Sequence, residues 1–69
     1  MKKQTKYQLT LIKDNRHYLI GEITKDMFHT ILKKNKLIGK GTLHDRHLFL
    51  VKIDEHTKHQ LIVINEWVA

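Results

Sequence analysis

The chain of 69 residues contains no cysteine, no proline and no serine. Without cysteine there is neither a disulfide framework nor a thiolate zinc site to stabilise so short a fold. Without serine or cysteine, the two commonest covalent nucleophiles are missing. The six threonines remain, but none is N-terminal and none lies in an activating context. Glycine is scarce, with three residues, and aromatics are few: Tyr7, Tyr18, Phe28, Phe49 and Trp67. No apolar run exceeds four residues, as in Leu48–Val51 and Leu61–Ile64. A run that short excludes a transmembrane helix. Met1-Lys2-Lys3 resembles the start of a signal peptide, but Gln4, Thr5, Lys6 and Gln8 stand where its apolar region should be. No targeting segment is read, and the expected location is the cytoplasm, where a cysteine-free chain is at home.

What the chain does have is lysine. Thirteen basic residues face seven acidic ones for a formal charge of +6, and eleven of the thirteen are Lys. Lys is a hydrated point charge, whereas Arg is the fork that reads guanine and phosphate geometry. The composition therefore points to a polyanion's backbone more than to base-by-base reading. AT-rich codon usage explains the Lys excess equally well, and the composition is of the kind found in accessory proteins of phages, plasmids or AT-rich bacteria. The hydrophobic content of 41% is enough for a packed core. The length predicts a single domain spanning residues 1–69.

Periodicity gives the elements. Tyr7, Leu9 and Leu11 alternate with Gln8 and Thr10, and the residues "HYLIGEI" alternate again after Lys13-Asp14-Asn15-Arg16. A two-residue Asp14-Asn15 turn sets Lys13 opposite Arg16, Leu11 opposite Tyr18, Leu9 opposite Ile20 and Tyr7 opposite Glu22. Thr24 is the expected N-cap of a helix over about residues 25–35, with Asp26 in its first turn. Met27, Phe28, Ile31 and Leu32 form its apolar stripe, and Asn35 is expected to end it in a left-handed conformation. Residues 36–43, "KLIGKGTL", read either as a loop or as a weak strand, bulged or on an edge. "HLFLVKI" and "QLIVINEWV" read as central strands, with Trp67 as core on the last. The fold class is thus α+β: a small antiparallel sheet of four or five strands with one helix, in the order ββαββ(β). A sheet this short is free to curl toward a partial barrel.

Four of the six histidines fall in two His-x-x-His pairs, His44/His47 and His56/His59. The first pair is read as the turn or strand start before Leu48, and the second as the next turn. The nine residues from His47 to His56 span about 30 Å of extended chain, so the pairs cannot form one site. Each offers two ligands where a catalytic zinc needs three and a structural zinc four. "GKGT" at 39–42 is not a phosphate loop, because a strand rather than a helix follows it. The acidic pair Asp54-Glu55 has nothing to raise a pKa, and a His44-Asp45 pair lacks a nucleophile and an oxyanion hole. No catalytic residue, metal or cofactor is assigned, and an enzyme is not expected.

The remaining signal is segregation of charge. Residues 27–44 contain no acid, yet they hold Lys33, Lys34, Lys36 and Lys40. These four are the candidate nucleic-acid-binding ridge, which would bind by displacing counterions from phosphates with weak sequence preference. With most aromatics assigned to the core, base stacking on single strands is disfavoured. The alternative is a protein-interaction module, or an inhibitor or accessory subunit, docking on a host protein through a sheet edge or apolar patch. A homodimer is expected, because a chain this short gains stability by covering apolar surface.

Overall fold

The structure, a computed structural model, describes residues 2–68. Strands β1 (Lys2–Lys13) and β2 (Arg16–Ile23) precede helix α1 (Lys25–Lys34), and β3 (Lys36–Leu43), β4 (Arg46–Lys52) and β5 (Thr57–Val68) follow it. The sheet is antiparallel in the order β2-β1-β5-β4-β3. Residues 36–43 are therefore an edge strand, and the order is ββαβββ. The sheet is not closed: β2 and β3 remain separate edges, and no barrel forms.

The first hairpin turns where the sequence indicates. Asp14 and Asn15 both adopt positive φ, at 50° and 65°, as a two-residue turn between twisted strands requires. Lys13 pairs with Arg16 and Leu11 with Tyr18, as expected. Beyond them the register departs from strict alternation. Leu9 pairs with Gly21 rather than Ile20, and Tyr7 with Ile23 rather than Glu22. Ile20 is an extra residue, and Gly21, at φ 124°, supplies a backbone conformation that side chains resist. The bulge has a clear consequence. Ile23 comes onto the core face beside Tyr7, and Glu22 is turned to the opposite side, against Gln8.

The helix links the two edges of the sheet. It starts after Ile23 on edge β2 and delivers the chain to Lys36 on edge β3. Five strands at ~4.8 Å spacing measure about 19 Å from edge to edge, and ten helical residues cover about 15 Å, so one short helix suffices. The Thr24 hydroxyl caps it by accepting from the Met27 amide at 3.1 Å. Phe28 is the anchor, buried against Tyr7 and Phe49 at ring-centroid distances of 4.7 and 5.7 Å. With Leu9 and Leu61 it forms the core, to which Ile23, Ile31, Leu32 and Val63 add. Met27 is half exposed and lies outside this stripe. Asn35 does not take the left-handed cap: it is extended, at φ −124°, and its side-chain amide donates to the Ile31 carbonyl at 2.9 Å. The last helical carbonyls thus gain a donor while the chain runs directly into β3.

Trp67 is not core. β5 outruns β4, whose first residue, Arg46, pairs with Ile64. The end of β5 pairs only with the start of β1, Lys3 lying opposite Trp67. Trp67 is 66% exposed, whereas Leu61, six residues earlier on the same face, is fully buried.

Candidate nucleic-acid interface

Register assigns every strand residue to one of two faces, since directly opposed residues point the same way. The helix-bearing face carries Tyr7, Leu9, Leu11, Phe49, Val51, His59, Leu61 and Val63. The other face carries Ile12, Leu48, Leu50, Ile62 and Ile64, with Lys36, Lys52 and Lys58 at one end.

The four lysines singled out by charge segregation are all exposed but do not share one face. Lys33 and Lys34 end α1, and Lys36 opens β3 two residues later. Lys36 and Lys40 would point the same way in a regular strand. A second bulge prevents it: Leu37 pairs with Val51 and Gly39 with Leu50, leaving Ile38 extra. Lys40 therefore lies opposite Phe49 on the helix-bearing face, and Lys36 lies opposite Lys52 on the other. Gly39 suits the bulge sterically, because a Cβ there would stand 3.3 Å from Leu50 Cβ.

In place of a four-lysine ridge, the fold builds a different cluster. Lys36, Lys52 and Lys58 lie directly opposite one another across β3, β4 and β5. Lys33 and Lys34 end the helix on the opposite face of the sheet and precede Lys36 by two or three residues at the β3 edge. Among the described residues, the only ion pair made by any of these five is Lys52 with Glu55, at 3.5 Å between exposed side chains. Lys52 and Lys58 carry no signal in the sequence because they lie outside the acid-free stretch; only strand pairing brings them to Lys36.

The histidine pairs separate as their spacing requires. His44 sits in the β3–β4 turn with φ 55°, and His56 in the β4–β5 turn, at the other end of β4. His47 is the second residue of β4, at the strand start, whereas His59 is a strand residue of β5 rather than part of the turn. His47 lies opposite Val63 and approaches the Thr42 hydroxyl at 3.5 Å. His59 lies between Leu11 and Val51, with Nδ1 buried and without a hydrogen-bond partner. Burial holds its pKa below the ordinary histidine value, so the neutral ring is favoured. Among the described residues no three His, Asp or Glu side chains gather as a metal cluster. In the β4–β5 turn, Asp54 accepts from the His56 amide at 2.8 Å; this bond, and next the Thr57 hydroxyl, lower its pKa. Those bonds close the turn and account for the carboxylate.

The remaining aromatics bear on stacking. Phe28, Phe49 and Tyr7 are core, but Trp67 and Tyr18 are exposed, at 66% and 46%. The chain matches no protein-family model, no curated protein and no solved structure. No helix among the described residues is long and apolar enough to cross a membrane.

Proposed function

We propose that this is a small basic binding protein, not an enzyme, that contacts a nucleic-acid backbone through Lys36, Lys52 and Lys58, with Lys33 and Lys34 reached around the β3 edge at the end of the helix. The cross-strand row carries the reading. Like charges directly opposite one another on a sheet are destabilising, and three in succession repeat the penalty. Lys33 and Lys34 also complement the helix dipole. The row on the sheet gains nothing comparable, since one exposed pair with Glu55 contributes little. A polyanion laid across this end of the sheet would relieve the repulsion and release counterions.

An electrophoretic shift on duplex and single-stranded DNA and RNA tests this. Binding is expected at micromolar protein in about 50 mM salt, weakening steeply at about 200 mM, with little sequence preference. Changing Lys33, Lys34 and Lys36 together to Glu should abolish it. No shift in about 50 mM salt at tens of micromolar protein would overturn the reading.

A second reading is favoured by a specific observation on the same face. An apolar groove of about 330 Å³ runs past Ile12, Leu48 and Leu50, over Gly39 and Gly41. Leu19 and Leu43 stand exposed on the edge strands and share this face by register. Such a face suits a protein partner, whether another protein or a second copy. Light scattering distinguishes these: a homodimer has twice the 8.3 kDa of the chain.

A further inference from the structure

The helix crosses its face diagonally, from Ile23, whose register neighbour is Tyr7, to Lys36, whose neighbour is Lys52. One end of that face is left uncovered. Along it the register sets Trp67 opposite Lys3, Asn65 opposite Thr5, and His47 between Val63 and Thr42. The second bulge adds Lys40, next to Thr42 on the same face of β3. We infer that this shelf is a seat for unpaired nucleobases, with Trp67 as the stacking platform. The inference rests on the nucleic-acid reading above and extends it from backbone contact to a class of strand.

Trp67 is the chain's only tryptophan, and it is 66% exposed in a domain whose core is small. Tryptophan is usually well buried, so its place on a two-stranded extension is unusual. Its surroundings are polar. A protein-binding hot spot is commonly ringed by contacts that exclude water. Here the register neighbours are Lys3, Thr5 and Asn65. The Thr5 hydroxyl holds Asn65 through its carboxamide oxygen at 3.1 Å, so the amide NH₂ is left to read an acceptor on a base edge. His47 and Thr42 extend the hydrogen-bonding surface, and Lys3 and Lys40 stand at opposite sides of it to meet phosphates.

Charge complementarity agrees. None of Lys3, Thr5, Lys40, Thr42, His47, Asn65 and Trp67 is acidic. Glu66, between Asn65 and Trp67, points to the other face and pairs with Lys6 at 3.5 Å. Asp45 lies in the adjoining turn, where its backbone carbonyl accepts from the Asn65 backbone N–H. From Trp67 to Val63 the shelf runs about 13 Å, and from β1 to β3 about 14 Å. Sheets of similar breadth stack about two or three bases. Bases in a duplex are already stacked on one another, so an exposed indole selects single strands.

Trp67 is also its own reporter. The full chain is titrated with an oligothymidylate and with a duplex of equal length, and indole emission is followed alongside an electrophoretic shift. The single strand should quench Trp67 and the duplex should bind with little quenching. Trp67→Ala should weaken single-strand binding about tenfold and leave duplex binding unchanged, and Trp67→Phe should restore most of the loss. If the single strand binds without quenching and Trp67→Ala binds it equally well, the seat is overturned while the backbone reading stands. If neither strand binds, both readings fall. If emission shifts blue on raising protein concentration alone, Trp67 is covered by a second copy, and the seat is likewise overturned.

Discussion

Lys36 and Lys52 stand directly opposite each other on β3 and β4, and Lys58 continues the line on β5. A sheet selected for stability alone would alternate charges across these positions. Lys58→Glu places an acid opposite Lys52 and should raise stability by about 0.2–1 kcal/mol while weakening nucleic-acid binding. Thermal melting and an electrophoretic shift on the same variant check both halves. A stabilised variant that binds as well as the parent would show that the row is incidental.

Salt dependence counts the contacts. Five lysines engaging five phosphates of a duplex give a log–log slope of roughly −4.5, and each Lys→Gln change within the cluster should reduce its magnitude by about 0.9. Lys13, Lys25 and Lys40 are outside the cluster, and neutralising any one of them should leave the duplex slope unchanged. Fluorescence anisotropy across a salt series is the measurement.

Leu61 and Trp67 share a face of β5 and should differ sharply in their effect on stability. Leu61 is fully buried, and Leu61→Ala should cost about 2–5 kcal/mol, a fall in melting temperature of at least about 10 °C. Trp67→Ala should change stability by no more than about 0.5 kcal/mol. Circular dichroism melting distinguishes them.

His59 makes the fold sensitive to acid. Its folded pKa is held below the unfolded value by burial, so the unfolded chain binds the proton more readily. Its stabilising contribution is complete above the ordinary value of 6.5 and is lost as pH falls below that value toward its lowered folded pKa. Melting temperature should therefore drop as pH is lowered from about 7 to about 5. His59→Leu, which fits between Leu11 and Val51 and removes the orphaned Nδ1, should flatten that drop. The exposed Asp54 acts in a lower window, below its ordinary value of 3.8.

Two glycines should respond oppositely to alanine. A Cβ meets nothing within 4 Å at either Gly21 or Gly41, so crowding is not the difference. Gly21 sits at φ 124°, and Gly21→Ala should cost about 1–3 kcal/mol through backbone strain. Gly41 needs no positive φ, and Gly41→Ala should be neutral or stabilise by about 0.5 kcal/mol. Denaturant melts of the two variants check this.

The strand pattern, the helix with its Thr24 cap and the Asp14-Asn15 turn are legible in the sequence because each depends on local chemistry. The failures begin where one residue is inserted into an otherwise regular pattern. Ile20 and Ile38 look like ordinary strand residues, yet each is the extra member of a bulge, and each bulge reverses the facing of the residues beyond it. Alternation alone therefore places Glu22 opposite Tyr7 and lets Lys40 join Lys36. Trp67 is misplaced for a different reason. Its composition and strand suit a core, but exposure depends on where the neighbouring strand starts, and nothing local to Trp67 records that β4 begins at Arg46. Lys52 and Lys58 join Lys36 only through pairing between distant segments, which no local charge count reveals.

The pairing of β1 with β5 has a kinetic consequence. These adjacent inner strands come from opposite ends of the described chain, with Thr5 and Asn65 hydrogen-bonded across 60 positions. The β1–β2 and β3–β4 hairpins can each form early, but they remain two separate ribbons until β5 inserts between them. Closing that large loop sets a high contact order, so folding should be slow for a chain of this length. The same adjacency makes the fold a candidate for circular permutation. A short linker between the ends would turn β5 and β1 into a hairpin, and opening the chain at Asp14-Asn15 would transfer the long-range closure to β1 and β2.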